Sequence, residues 1–426
     1  MLLYAWLIAR VTRAWSHPAV VYALYWAILL FLPPIFVRMA PLHWIAVLYI
    51  CVTVVAFGLP VFFYDWSESV AIARARNGAG RKCYAPLLPL FYVLQIATIV
   101  FVVINLSIQG FGLSEVILRP IDSANRYMSL RYSGRVATNI FQQGSVVFNY
   151  IAVIFAGLLV EQQKSKRTIV TILLFAIAPS LMHMVFYADK GTLFLAGAYF
   201  YGAVIVARVA RGDLSLINAA TIKHSIGAAV ALAPFLLFAM VSRKSELPLA
   251  FTINSYAFGH LFAFSDWFSD YLRVGSSIQE YANPTFPSWG YWTFAAVGKF
   301  IIPGYQLPPG YWAEYFQTPD VKTNIYTMYR GLIYDFGIAG SIAFMAAFGA
   351  VASAAYDKML RYEMPAISQS FYVLFFAFSY MSYAISLLIW KSPYVTFIVT
   401  AVVLSIIRRC MSGAGLRLES LDRSRD

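Results

Sequence analysis

Residues 323–337 read TNIYTMYRGLIYDFG. Three tyrosines, two threonines, Arg330 and Asp335 stand together just before an apolar run long enough to enter a bilayer. If the stretch is helical, Tyr326, Arg330 and Tyr334 lie four apart and share a face, with Thr323, Thr327 and Gly331 in the next stripe. Two readings are open for its charges. Arg330 snorkels to the membrane interface while Asp335 starts the following span, or both belong to a site on the membrane surface.

The rest of the chain fixes the setting. Of 426 residues, 61% are hydrophobic and 12% charged, against roughly a quarter charged in soluble domains. Apolar runs of about twenty residues recur throughout, enough to span hydrocarbon as helices. The fold class expected is an all-α integral membrane protein, a single polytopic domain over 1–426. A β-barrel would alternate in shorter segments. Ten spans are expected, near 18–37, 42–63, 85–107, 136–159, 168–187, 192–207, 224–241, 336–355, 367–389 and 393–407. The N-terminus has neither a basic start nor a small-residue cleavage site, so the first span is expected to stay in place. The three cysteines imply no disulfide framework.

Charge sets the orientation. Basic residues cluster in short loops: Arg74, Arg76, Arg81 and Lys82; Lys164, Lys166 and Arg167; Arg208, Arg211 and Lys223; Lys358 and Arg361; and the tail from Arg408. With Arg10 and Arg13 they fall on one side of a ten-span chain, which places both termini in the cytoplasm. The net charge of +13 thus reflects positive-inside bias, and nucleic acid is not an expected partner. Two long loops remain for the outer, periplasmic side, 108–135 and 242–335. Acidic residues are nearly absent from the spans and no internal repeat is visible, features that weigh against a proton-coupled carrier.

The outer loops carry the candidates for chemistry. Loop 242–335 contains YAFGHLFAFSDWFSDY (256–271), PSWGYWTFAAVGKF (287–300) and PGYQLPPGYW (303–312). Such aromatics are either interfacial anchors or platforms for the C–H faces of sugar rings. Arg119, Arg126, Arg131, Arg135, Lys190, Arg243, Lys244, Arg273, Lys322 and Arg330 all lie outside in this topology. A guanidinium matches phosphate oxygens and keeps its charge, and several of these residues sit near span ends, at headgroup depth. Each contacts either ordinary lipid phosphate or a lipid-linked substrate. There is no DxD pair, HExxH or P-loop, and the five histidines are scattered. No metal ligand set and no cofactor are expected.

The segment TNIYTMYRGLIYDFGIAG (323–340) resembles the stretch before a late span in Wzy-type polymerases of bacterial oligosaccharide repeat units, the O-antigen polymerases among them. DKG (189–191) between two spans, Arg243 after a span, YAFGHLFAF (256–264) and GYWTF (290–294) follow in the same order. The resemblance implies a GT-C-like glycosyltransferase of the bacterial inner membrane. Such an enzyme moves glycan from an undecaprenyl-pyrophosphate donor to a hydroxyl of a second lipid-linked unit, without metal. The implied partners are those lipid-linked glycans, membrane lipids and a chain-length regulator. Arg243 and Arg330 are then expected to stabilise the departing pyrophosphate, supported by Lys190 and Arg135. Asp335, His260, Asp266 and Glu280 are the possible bases. Arg119, Arg126, Arg273, Asn324, Tyr326 and Trp267 complete the expected substrate-binding set. An O-antigen ligase, a lipid-linked oligosaccharide flippase and a structural envelope subunit are the alternatives.

Overall fold

In hydrocarbon a backbone satisfies its own polar groups only as a helix or a closed barrel, and the apolar runs of this chain form helices. The computed structural model describes all residues except 77–83, 134, 137–138, 188–189, 219–247, 275–287, 289, 303–311 and 423–426. Among the described residues eight helices are long and apolar enough to cross a membrane: Pro18–Phe36, Trp44–Phe63, Leu87–Ile108, Ile140–Val160, Lys166–Phe186, Gly191–Ala210, Thr327–Arg361 and Lys391–Met411. This is the architecture of a multi-pass all-α membrane protein.

Eight of the ten expected spans correspond to these helices. The run 224–241 lies outside the described residues. The run expected at 367–389 is helical only over Ala366–Met381, 16 residues, or about 24 Å at 1.5 Å per residue. Beyond Met381 the chain turns and re-forms a short 3₁₀ segment, Leu387–Ile389. The break has a physical cause in its polar groups. The Ser382 carbonyl accepts a bond from Met328 N at 2.9 Å, and Ser386 Oγ donates to the Thr293 carbonyl at 3.1 Å.

The chain divides into two compact units. The first comprises Met1–Ala71, Glu246–Asp357 and Phe375–Tyr394. Within it the helices pack through small residues, as bilayer helices do where no hydrophobic drive separates helix from lipid. A Cβ at Gly349 would fall 1.8 Å from the Phe57 carbonyl oxygen, so only glycine lets these two helices meet. Buried hydroxyls add tertiary bonds: Tyr22 to Tyr329 at 2.9 Å between helices, and Ser16, in the turn before Pro18–Phe31, to Tyr356 at 2.7 Å.

Most of the expected outer loop 242–335 belongs to this unit and is folded. It contains a short helix Leu249–Ile253, a π-helical turn Asn254–Phe258, the helices Gly259–Val274 and Tyr291–Ile301, and a hairpin of β1 (Phe316–Thr318) and β2 (Val321–Thr323). The hairpin pairs Phe316 with Thr323 and Thr318 with Val321. Asp320 at its tip accepts bonds from Arg38 N at 2.8 Å and Met39 N at 3.0 Å, which fastens the hairpin to the loop after the first long span.

The second unit comprises Ile72–Ser245, Lys358–Leu374 and Val395–Asp426. Its centre is Ile140–Val160, against which Leu87–Ile108 and Lys190–Ala210 pack. Gly157 permits the closest approach, since a Cβ there would lie 2.4 Å from the Phe200 carbonyl. The expected outer loop 108–135 forms the helices Leu113–Leu118 and Pro120–Tyr132. They sit over a cluster of Val102, Leu106, Phe111, Val116, Tyr127 and Tyr187.

Candidate functional site

The opening stretch begins a helix, but not a continuous one. Thr327 has φ 66° and Gly337 has φ 68°. A left-handed conformation is ordinary for glycine and an outlier for a β-branched residue, where it costs about 1–3 kcal/mol. The ten residues 327–336 thus form a discrete helical piece between two left-handed breaks, ahead of the apolar remainder of Thr327–Arg361.

Arg330 sits on this piece with no exposed surface. Its Cζ lies 3.9 Å from the Trp312 ring centre, 4.3 Å from Tyr326, 5.0 Å from Trp267 and 5.8 Å from Tyr334. Each desolvated cation–π contact of this kind is worth up to about 2 kcal/mol. Burying a full charge also needs an opposite charge, and Glu314 supplies it through an ion pair to Arg330 Nη1. Arg330 is wholly enclosed, whereas the Glu314 side chain keeps 23% of its surface.

The rings are held from behind. Trp312 stacks on Trp292 at 4.2 Å and on Tyr334 at 5.6 Å, and Asn324 Nδ2 donates to the Trp312 carbonyl at 3.1 Å. Trp292 can approach because residue 331 is glycine: a Cβ there would meet Trp292 Cβ at 3.0 Å. Asp335 ties the same elements together. It accepts from Ser288 Oγ, from Trp292 N at 3.1 Å and from Thr293 Oγ1 at 2.6 Å, so it caps the start of helix Tyr291–Ile301. Ser288 N donates to the Tyr334 carbonyl at 3.0 Å beside it. Asp335 is buried with three donors on its carboxylate, which is the environment of an anchor.

The other expected residues divide by unit. Trp267, Asn324, Tyr326 and Arg330 come together with Trp312, Tyr334 and Glu314. His260 is in the same unit, fully buried on helix Gly259–Val274 with its ring edge-on to Tyr383 at 5.6 Å. Burial pushes its pKa down to about 4, against weaker upward pulls from the backbone at Ala257 and Leu29. Arg273 on that helix is exposed and pairs with Asp270 at 2.9 Å. Asp266, half-buried, is raised above its ordinary value, first by burial and then by the negative charges of Asp270 and Glu314, while His43 opposes the shift. Burial, reinforced by Glu314, likewise raises the Tyr326 hydroxyl.

Arg119, Arg126, Arg135 and Lys190 belong to the second unit. Arg119 and Arg135 are exposed there. Arg126 is held by Glu115 at 3.1 Å and lies over the Phe111 ring. Lys190 begins the helix Lys190–Ala210. Arg243, Lys244 and Glu280 lie outside the described residues.

Glu314 is the site residue that the sequence reading omits. No periodicity links it to Arg330, sixteen positions away. The available signal is chemical, a carboxylate flanked by Trp312 and Tyr315 in an aromatic segment. The arrangement is a cage of largely buried aromatic rings packed on one enclosed guanidinium, with one partly exposed carboxylate at its edge. Such a set can accept hydroxyl hydrogen bonds at the carboxylate and compensate a growing negative charge with the guanidinium. The chain matches no family model, no curated protein and no solved structure.

Proposed function

We propose that the chain is a polymerase of undecaprenyl-pyrophosphate-linked oligosaccharide repeat units, of the Wzy type and GT-C-like in architecture. It acts by metal-independent glycosyl transfer on the outer face of the bacterial inner membrane, with both termini in the cytoplasm. The observation that carries this reading is Arg330, enclosed by Trp267, Trp312, Tyr326 and Tyr334 and countered by Glu314 at the head of an interrupted membrane helix. Lipid-linked sugar chemistry needs those parts side by side. The pyranose faces need rings, the departing pyrophosphate needs a permanent cation, and the lipid tails need apolar helices next to both.

As the glycosidic bond breaks, charge grows on the pyrophosphate. A preplaced donor at that position is worth about 3–4 kcal/mol, or 10²–10³ in rate. Holding donor and acceptor lipids in one geometry supplies a further share. Arg330 fills the cationic role, and Trp267 and Tyr326 face the sugar.

The test is glycan length on gels from cells that carry wild type, Arg330→Ala or Arg330→Lys, with membrane levels checked by immunoblot. Both variants are expected to shorten the ladder to single repeat units at normal protein level, because lysine offers a point charge in place of a stacked planar fork. Full ladders from both variants would remove Arg330 from the reaction. A deletion that leaves uncapped lipid A core would favour the ligase. Purified protein that moves units across vesicles without lengthening them would favour the flippase.

A further inference from the structure

We infer that Glu314 is the proton acceptor for the attacking hydroxyl, held on Arg330 until the donor's pyrophosphate displaces it. This inference rests on the polymerase reading of the same site. Of the carboxylates expected to act as base, Asp335 is committed to three donors in the interior. Asp266 is half-buried and is not ion-paired to Arg330. Glu314 alone among the described carboxylates is paired to the enclosed guanidinium, and it is the partly exposed member of that pair. It is therefore the member of the pair that has surface for a ligand to reach.

A carboxylate and a pyrophosphate oxygen compete for the same guanidinium fork. When the donor takes Arg330, the Glu314 carboxylate is released from the guanidinium and its oxygens are open to a hydroxyl proton. The acceptor hydroxyl oxygen then forms a bond to the donor's anomeric carbon. The bond from that carbon to the pyrophosphate oxygen breaks, and its electron pair leaves with the lipid pyrophosphate. The hydroxyl proton passes to Glu314 and afterwards to water. Nothing is oxidised or reduced. Glu314 is ion-paired to Arg330 and acts electrostatically on Asp266 and Tyr326. Beyond these, Asp270 and His43 act on Asp266, Tyr334 lies against Arg330, and Lys322 of the hairpin lies over the ring of Tyr315.

The experiment measures elongation of a purified lipid-linked repeat unit against pH, for wild type, Glu314→Gln and Asp266→Asn in detergent, with donor binding measured in parallel. The expected result is a wild-type rate that falls on the acid side, a Glu314→Gln rate lower by about 10²–10⁴ with that acid limb gone, and donor binding retained. Asp266→Asn keeps the limb. Should Glu314→Gln fail to fold, Glu314→Asp is expected to keep the limb at a reduced rate. An acid limb that persists in Glu314→Gln, or one that vanishes in Asp266→Asn, overturns the inference while the polymerase reading stands. Wild type that never lengthens the unit overturns both.

Discussion

A guanidinium without exposed surface is stable only where something replaces water, and Arg330 has four rings and a carboxylate for that purpose. Asp335, five residues on, plays a different part. Its carboxylate gathers Ser288, Trp292 and Thr293, and so sets where the Trp292–Trp312 stack stands. Hydrogen bonds to a charged acceptor are worth about 1.5–3 kcal/mol each before neighbours adjust. Asp335→Ala is therefore expected to destabilise the protein by about 2–3 kcal/mol. Thermal unfolding in detergent, followed by tryptophan fluorescence, reads this directly, and an unchanged midpoint would contradict the anchoring role. At this scale the sequence was informative about residue type and silent about partners. The i, i+4 spacing correctly joined Arg330 to Tyr334, and Tyr326 reaches the same guanidinium although it precedes the helix. Glu314 stayed hidden because a tertiary contact across a loop leaves no periodic trace. The two candidate roles of Asp335, span start or site member, could be separated only by finding its three donors.

Among the elements, the interrupted helix Thr327–Arg361 carries most of the consequence. Gly337 and Gly349 are both helical glycines by sequence, yet their duties differ. A Cβ at Gly337 meets nothing within 4 Å, so Gly337→Ala exacts only a backbone cost; φ 68° with ψ −179° is a region essentially reserved to glycine, at about 1–3 kcal/mol. At Gly349 a Cβ would drive into the Phe57 carbonyl, and Gly349→Ala is expected to be the more damaging change, at several kcal/mol. Paired unfolding curves check the order, and equal effects would contradict it. The sequence reading began the span at residue 336 because hydropathy starts there. The helix reaches back to Thr327, since Met328 N finds the Ser382 carbonyl, a bond made with a distant part of the chain.

The hairpin clasp is an element-scale device as well. Burial alone would raise the Asp320 pKa, but bonds from Met39 N, Thr318 Oγ1 and Arg38 N outweigh it and hold the carboxyl below its ordinary value. A depressed carboxyl stabilises the folded state above its unfolded value, about pH 4, and that contribution fades as pH falls through the lower folded value. Amide protection at Arg38 and Met39 is thus expected to hold at neutral pH and drop in acid. Asp320→Asn should abolish the pH dependence. Protection that does not change with pH in the wild type would show that the clasp is held by other contacts.

For the whole molecule, composition alone established a polytopic helical membrane protein, because a chain with 12% charged residues and recurrent apolar runs has no other home. Hydropathy located the spans to within a few residues where a helix runs uninterrupted, as in Leu87–Ile108 and Ile140–Val160. It overreached at 367–389, where buried serines end the helix early in favour of bonds to Met328 and Thr293. Within 108–135 and 242–335 it gave no element boundaries for the helices and the hairpin that form there, since their patterns are too short to separate from loops. Of the arginines expected to act together, Arg273 and Arg330 belong to the first unit, and Arg119, Arg126 and Arg135 to the second. The central claim is that the enclosed Arg330 site lengthens lipid-linked glycans. Its most direct test places the purified protein in vesicles with a single undecaprenyl-pyrophosphate-linked repeat unit and follows the products by mass spectrometry. The account predicts units doubled and then extended stepwise by wild type and left at one by Arg330→Ala. Units that stay single with wild type, at full recovery of folded protein, would contradict it.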